Sequence, residues 1–419
     1  MKVWILNHYA IPPKYGGLNR HFYFSKNLKS MNVDTKIFTA SKIHNSNNNF
    51  MSGQKGLSRE VSFEGVKYEF VKTGEYSNNG IKRIFSFAQF PFNLMRCLHS
   101  KYRNEMPDII YASSPELFST YFSILFAKKH KLPIIVEIRD LWPESIVEYS
   151  NFSKKNIIIK LLYRLEEWIY YKADKLIFTF EGSKEYIINQ KWDINSGGRI
   201  DLNKIEYINN GVDLEKFKSS KDCLADNLLE SNKFKVVYTG SIRKVNSIFL
   251  IVEAAKVLKE RGVNDVDFII YGDGTERENL IKRCTELNLE NIHFRKHVDK
   301  KFIPNILKKA DATIIVGQHD SMSKYGMSAN KVFDYMAAGK PIISNLDVGY
   351  DKILKYNCGI VIPDGDGTEI ADAVLKVKNL NSEEYCTMCK NAELAALQFD
   401  YKTLSNKLYE IMRKIRRDL

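Results

Sequence analysis

The chain of 419 residues has no uninterrupted apolar run of about 18–20 residues, so the sequence predicts no membrane-spanning helix. The apolar run near the start extends only from Val3 to Leu6 before Asn7 and His8 end it. A secretory signal needs roughly 7–15 apolar residues, so none is expected. Cysteine is scarce: six residues without disulfide-like spacing point to free thiols in a reducing compartment. Cys386 and Cys389 form a CxxC within a helical run from Glu383 to Leu397, but no second pair exists, and they read as incidental helix thiols. No Cys/His pattern has zinc-ligand spacing. The G-x-x-x-x-G-K-[ST] phosphate loop is missing too, because Gly339-Lys340 is followed by Pro341. These absences exclude a disulfide-stapled secreted domain, a zinc module and a P-loop nucleotidase.

What is present is an ordinary globular composition, 44% hydrophobic and 27% charged. At roughly 100–200 residues per domain, the length predicts two domains, at most three. The net charge of +13 favours a polyanionic partner: nucleic acid, anionic lipid or a phosphorylated substrate. No helix-turn-helix, zinc-finger or RNA-binding signature accompanies it, so nucleic acid is not the expected partner.

The first half alternates strand and helix signals. Strands are expected at Val3–Asn7, Thr35–Thr39, Lys67–Val71, Asp108–Ala112, Ile134–Ile138 and Leu176–Phe180, and an amphipathic helix follows Gly16-Gly17. The stretch from Ser41 to Glu64, rich in Asn, Ser and Gly, reads as a surface loop. The second half repeats the grammar at Lys235–Thr239, Asp267–Tyr271, Ile292–Arg295, Thr313–Val316, Pro341–Ser344 and Gly359–Ile362. Short apolar strands separated by helices predict parallel sheets covered on both faces. Two doubly wound units fit this better than one sheet of about a dozen strands. The expected fold class is therefore α/β, with two Rossmann-like domains facing across a cleft. The first spans 1–200 and the second 201–399. The join falls near Asn195–Asn203, and a final helix at 400–419 packs back on the first domain. Such sheets bind ligands at the carboxyl ends of their strands.

The most informative run is Ser328-Ala329-Asn330-Lys331-Val332-Phe333-Asp334-Tyr335-Met336-Ala337-Ala338-Gly339-Lys340-Pro341-Ile342-Ile343. Gly339 and Pro341 mark a helix stop and a strand entry. Asp334 lies in the body of the helix, where Asp is a mediocre helix former. A carboxylate there, facing the cleft, could accept both hydroxyls of a ribose; a solvated helix Asp is the plain alternative. The run resembles the nucleotide-sugar signature of the retaining family-four glycosyltransferases, enzymes of the GT-B fold. That signature has Glu, seven residues, Glu, and an A-M-A-x-G-x-P-V-I-like tail. Asp334 falls on the second acidic position. The first falls on Gly326, so the sequence departs from the family there.

Other segments resemble the same family in the same order. Ile208-Asn209-Asn210-Gly211-Val212-Asp213, with Phe217 after it, is similar to the interdomain P-N-G-V-D-x-x-x-F run. Val237-Tyr238-Thr239-Gly240-Ser241-Ile242-Arg243-Lys244 is similar to the strand and glycine turn that open the donor domain. A glycine there lets backbone N–H groups approach phosphate, and the next helix N-terminus adds partial positive charge. Ile269 to Glu278, containing Gly272-Asp273-Gly274, is similar to the G-x-G-P-E-R-x turn near the base. It lacks the third glycine of a dinucleotide fingerprint. Tyr15-Gly16-Gly17 follows the first strand, where two glycines permit close backbone approach to phosphate or acceptor. Glu137-Ile138-Arg139-Asp140-Leu141-Trp142-Pro143-Glu144 carries the Arg-Asp-Leu-Trp-Pro variant of a subgroup that builds bacterial surface polysaccharides such as O-antigen and capsule.

The resemblance implies donor-binding roles for Gly16, Gly17, Gly240, Arg243, Lys244, Gly272, Gly274, Lys331 and Asp334. It implies catalytic roles for Asp140, Arg139 and Lys244, with Asp140 orienting the acceptor or the reacting phosphate. The implied donor is a UDP-sugar and the implied acceptor a polyprenyl-diphosphate-linked saccharide. No metal is expected. Asp265-Val266-Asp267 and Asp364-Gly365-Asp366 have the D-x-D form that the other large glycosyltransferase fold uses for Mn²⁺ or Mg²⁺, but the first precedes a strand and the second sits in a glycine turn.

From Ile81 to Arg103 the chain interleaves Lys82, Arg83, Phe85 and Phe87 with further basic and aromatic residues and no acid. Lys154 to Tyr171 also interleaves basic and aromatic residues, with Lys154, Lys155, Lys160, Trp168, Tyr170 and Tyr171. Such segments suit an anionic membrane surface, and a core-packed helix with a wet basic face is the alternative. The expected location is cytoplasmic, peripheral on the inner face of the cytoplasmic membrane. A GT-B nucleotide-sugar epimerase and a non-catalytic nucleotide- or polyanion-binding protein with a degenerate site remain as rival readings.

Overall fold

Val3, Trp4, Ile5 and Leu6 are all buried, the continuous apolar pattern of a strand covered on both faces of a parallel sheet. The computed structural model describes residues 1–16, 19–43, 48–74, 81–114, 116–150 and 152–417, and for 81–87 the backbone only. The chain forms two compact units, Met1–Asn209 with Tyr401–Leu419, and Asn210–Asp400.

The sheet of the first unit contains β1 (Lys2–Leu6), β2 (Asp34–Ala40), β3 (Ser58–Phe63), β4 (Val66–Val71), β5 (Ile109–Ser114), β6 (Ile134–Ile138), β7 (Lys175–Phe178) and β8 (Ile205–Tyr207), in spatial order β3-β4-β2-β1-β5-β6-β7-β8. Its helices begin with α1 (Arg20–Ser30), α2 (Ile81–Ser100), α3 (Leu117–Lys129), α4 (Trp142–Tyr149), α5 (Ile157–Lys172) and α6 (Ser183–Asn189). The sheet of the second unit contains β9 (Phe234–Thr239), β10 (Val266–Tyr271), β11 (Ile292–Arg295), β12 (Ala312–Ile315), β13 (Ile342–Ser344) and β14 (Gly359–Val361), all parallel, in order β11-β10-β9-β12-β13-β14. Around it lie α7 (Leu214–Ser219), α8 (Phe249–Glu260), α9 (Arg277–Glu286), α10 (Ile303–Lys308), α11 (Asn330–Ala338), α12 (Lys352–Lys355), α13 (Gly367–Lys378) and α14 (Ser382–Gln398). The final helix, α15 (Tyr401–Arg417), belongs to the first unit. It buries Leu404, Leu408 and Met412 in that unit's core, stacks Tyr401 on Tyr23 at 4.7 Å, and accepts at Ser405 Oγ from Asn27 Nδ2 at 3.2 Å.

Two expectations need correction. The segment read as a loop from Ser41 to Glu64 contains β3, the one antiparallel strand of the first sheet, paired with β4 from Ser58↔Val71 to Phe63↔Val66. The connecting residues Glu64 and Gly65 both have positive φ, 47° and 79°, as a two-residue hairpin turn with the right twist requires. The join expected at Asn195–Asn203 lies instead at Asn209–Asn210. The residues between add β8 to the first sheet, pairing Leu176↔Ile205 through Phe178↔Tyr207, so they belong to the first unit. No helix among the described residues is long and apolar enough to cross a membrane.

Candidate functional site

In the second unit, the carboxyl ends of β9 and β10 turn against one another. Gly240 N donates to Tyr271 O at 3.0 Å, and Ile242 N to Asp273 O at 2.9 Å. A Cβ on Gly272 would lie 1.9 Å from Gly240 O, and one on Gly274 would lie 2.2 Å from Ile242 O. This backbone-on-backbone packing by itself accounts for glycine at both positions.

Helix α11 is pinned to the same place. The buried Tyr335 hydroxyl accepts from Thr239 N at 2.9 Å and donates to Thr239 O at 3.4 Å. Gly339 closes the helix in the left-handed conformation at φ 65°, so the short helix ends where its sequence says. One turn before Tyr335, Lys331 Nζ donates to Tyr238 Oη at 2.9 Å and stands 4.4 Å above that ring. Tyr238 Oη passes the interaction on, donating to Ser241 O at 2.9 Å. A Cβ on Gly240 would lie 3.2 Å from Lys331 Nζ, so the cation sits directly beside the turn. Partial burial draws the Lys331 pKa down to about 8. Asp334, three residues on, is partly buried, and burial raises its carboxyl while Lys300 opposes the rise. Among the described residues, Lys331 has no carboxylate partner, and Asp334 has neither a hydrogen bond nor an ion pair.

Arg243 and Lys244 leave the same turn and are both exposed, again without a carboxylate partner among the described residues. Helix α8 follows, and its N-cap, Ile248, supplies no side-chain cap. Its first N–H groups carry the partial positive charge of a helix start. The end of β9 therefore has Lys331 beside its turn, Arg243 and Lys244 leaving it and an uncapped helix start after it, while Asp334 stands three residues from Lys331 on α11. Such a set can neutralise a diphosphate and accept two hydroxyls.

Gly326 closes a short 3-10 turn with φ 106°, a conformation that favours glycine. Asp320, the nearest preceding acid in sequence, folds back on Met322 N and Ser323 N at 2.9 and 2.8 Å. Asp213 caps α7 by accepting from Lys216 N at 3.0 Å, and Phe217 is buried, so the Val-Asp-x-x-x-Phe spacing has a local packing role. Of the D-x-D acids, Asp265 pairs with Lys378 at 2.7 Å, Asp267 with Lys233 at 3.0 Å, and Asp366 caps α13. Asp364 is exposed with His319 and Asp347, and these three could each offer one ligand atom within 4.8 Å of the others.

In the first unit, β6 ends at Ile138, leaving Arg139 partly buried and Asp140 exposed just before α4. No ion pair joins Arg139 to Asp140, and the Asp140 carboxylate has no hydrogen bond among the described residues. Gly16 has φ 153°, and a Cβ there would lie 2.8 Å from Ile11 Cδ1. Gly17 lies outside the described residues, as do the side chains of Lys82, Arg83, Phe85 and Phe87 on α2. In the second basic-aromatic stretch the aromatic residues are partly internal: Tyr170 is buried against Glu166, and Trp168 packs on Tyr121 at 5.0 Å.

Beneath Asp140 lies a charge network that the sequence reading missed. Glu137 is fully buried on β6. It accepts from Arg20 Nε at 2.6 Å, from Ser113 Oγ at 2.7 Å and from the Tyr111 hydroxyl, and His21 Nε2 lies 3.1 Å away. The remaining Arg20 nitrogens donate to the carbonyls of Ile208 and Asn209, the last residues of the first unit before the chain crosses over. Burial alone would raise the Glu137 carboxyl, but Arg20 and His21 outweigh it and hold it well below the carboxylate range. The one available signal was a glutamate inside the otherwise apolar strand Ile134-Ile135-Val136-Glu137-Ile138.

Comparison with known proteins bears on both units. Residues 15–216 match the family described as Glycosyltransferase Family 4, and residues 221–394 match the family described as Glycosyl transferases group 1. The chain is 27% identical over 237 residues to the UDP-Gal:alpha-D-GlcNAc-diphosphoundecaprenol alpha-1,3-galactosyltransferase of Escherichia coli, covering 54% of this chain and 57% of that one. It is 26% identical over 182 residues to the 2-deoxystreptamine N-acetyl-D-glucosaminyltransferase of Niallia circulans, covering 42% and 45%. The chain spans about half the length of the curated relatives it matches. The crystal structure of Anabaena HepE in complex with UDP is similar at a TM-score of 0.67 and 15% identity, over 99% of this chain and 100% of that one, a likeness of fold. The chain thus has the fold of the GT-B glycosyltransferases, two α/β units each of which matches a glycosyltransferase family model over most of its length.

Proposed function

We propose that the chain transfers a hexose or an N-acetylated aminosugar from a UDP-sugar to a saccharide carried on a lipid diphosphate, with retention at the anomeric carbon. The product would enter a bacterial surface polysaccharide of the O-antigen or capsule kind. The observation that carries the reading is Lys331 beside the Gly240 turn with Asp334 three residues further along the same helix, neither with an ion-pair partner among the described residues. The Escherichia coli relative, whose name gives a UDP-sugar donor and a diphosphoundecaprenol acceptor, supports the choice of partners.

In this reading the second unit holds the nucleotide. Asp334 accepts the ribose hydroxyls, and Lys331, Lys244 and Arg243 neutralise the diphosphate as the leaving group departs. A helix start contributes only about 0.3–1 kcal/mol toward an anion. A charge-assisted hydrogen bond contributes about 1.5–3 kcal/mol, so the three cations carry most of the diphosphate binding. No metal is needed for that neutralisation. Asp140, with Arg139 beside it, orients the acceptor or the reacting phosphate, and Gly16 and Gly17 let backbone approach it. The lipid acceptor places the enzyme in the cytoplasm, peripheral on the inner face of the membrane.

The test is calorimetric titration with UDP, GDP and ADP in the presence of EDTA. Micromolar binding of UDP alone is the expected result. Binding that appears only when Mn²⁺ or Mg²⁺ replaces EDTA would overturn the metal-free site. No binding of any of the three would overturn the donor assignment.

A further inference from the structure

We infer that the first turns of α5 and the loop leading into them form a docking face for an anionic lipid bilayer. From Phe152 to Leu165 the chain contains no acidic residue. Phe152, Ile157, Ile158 and Leu161 are 49%, 69%, 58% and 55% exposed. Lys154, Lys155, Lys160 and Arg164 are exposed among them. Packing on the first unit is already provided by another side of the helix, where Ile159, Glu166, Ile169 and Tyr170 are buried. Ile157, Ile158 and Leu161 share a second side, one turn long, that stays exposed among the described residues.

Single exposed apolar residues are ordinary on a protein surface. Four large ones in ten positions, with Lys155, Lys160 and Arg164 among and just after them and no acid from Phe152 to Leu165, have the composition of an interfacial segment. The apolar side chains suit the boundary between headgroups and acyl chains, while the long basic side chains reach back to lipid phosphates. A neutral protein partner would leave Lys155, Lys160 and Arg164 unmatched; an anionic surface matches both halves of the pattern. The face is also tied to the strand end that carries Asp140. Glu144, on the helix that begins just after Asp140, accepts from Lys154 Nζ at 2.6 Å and from the Tyr163 hydroxyl. The inference rests on the proposed lipid-linked acceptor for its purpose, since it names the surface by which the enzyme would reach that acceptor.

The experiment is co-sedimentation of the full chain with vesicles of phosphatidylcholine alone, and of phosphatidylcholine and phosphatidylglycerol in equal parts. Two double variants accompany the wild type, Ile158→Glu with Leu161→Glu, and Lys155→Glu with Lys160→Glu. Lys154 is spared because it pairs with Glu144. The wild type should sediment with the anionic vesicles only, and each double variant should lose roughly tenfold or more in affinity. Thermal melting of the variants should match the wild type, since all four positions are exposed. A wild type that ignores anionic vesicles, or variants that sediment as it does, would overturn the inference. So would a lipid-free wild-type dimer that Ile158→Glu with Leu161→Glu dissociates, because the face would then be covered by a second copy. UDP titration of the same samples separates the two ideas: vesicle binding without UDP binding would remove the donor reading and leave the docking face standing.

Discussion

Lys331 and Asp334 stand three residues apart on helix α11, yet the lysine reaches to Tyr238, 2.9 Å away, and makes no ion pair with the aspartate. Opposite charges at this spacing commonly pair along a helix. Here each charge stays available, in a partly buried place where an unmatched charge costs stability. That pattern is what a site for a ligand bearing both phosphate and hydroxyls would look like before the ligand arrives.

Asp334→Ala should weaken UDP binding by roughly ten- to a hundredfold, the loss of one charge-assisted contact. Its melting temperature should hold or rise, because the substitution removes a partly buried carboxylate without a partner. Calorimetry and a thermal melt check both, and unchanged UDP affinity would remove Asp334 from the site.

UDP affinity should fall as pH rises through about 8, where Lys331 gives up its proton. The sign follows from the charge. Below that pH the ammonium is present to meet the diphosphate; above it, binding must first restore the proton. Calorimetry in buffers of different ionisation enthalpy should therefore show proton uptake on UDP binding at pH 9. Lys331→Arg, charged throughout the range, should flatten the profile.

Glu137→Gln should destabilise the first unit by about 3–5 kcal/mol, because it leaves the buried Arg20 guanidinium without its counter-charge. Urea denaturation is the measurement. The transition of the second unit should not move, since every atom of the network lies in the first.

Gly326→Glu restores the acidic residue of the family signature in sequence but should not restore its effect. With φ at 106°, any side chain there is strained, at a cost of about 1–3 kcal/mol. The expected outcome is a lower melting temperature with no gain in UDP-sugar affinity.

The parallel strands were legible because burial on both faces writes them as apolar runs, as in Val3 to Leu6 or Phe268 to Tyr271. Strand β3 was not, because Ser58-Arg59-Glu60-Val61-Ser62-Phe63 forms the sheet's edge and is largely polar. Its trace in the sequence was the Glu64-Gly65 turn. Strand β8, with only Ile205-Glu206-Tyr207, is too short to show a period. At the site, Lys331 and Asp334 could be read from one helix. That Lys331 lies on Tyr238, or Arg20 on Glu137, depends on contacts across 93 and 117 residues that local pattern does not encode.

The placement of α15 has a consequence for how the protein is made. The first unit lacks Leu404, Leu408 and Met412 in its core until the residues that follow Asp400 have been translated. The whole second unit emerges from the ribosome before that. Although domains usually fold in the order in which they are synthesised, here the N-terminal unit must wait, holding an open apolar seam along α1. A ribosome-bound chain stalled before Tyr401 should therefore present a finished second unit beside an unfinished first one, and the unfinished one is where a chaperone would bind.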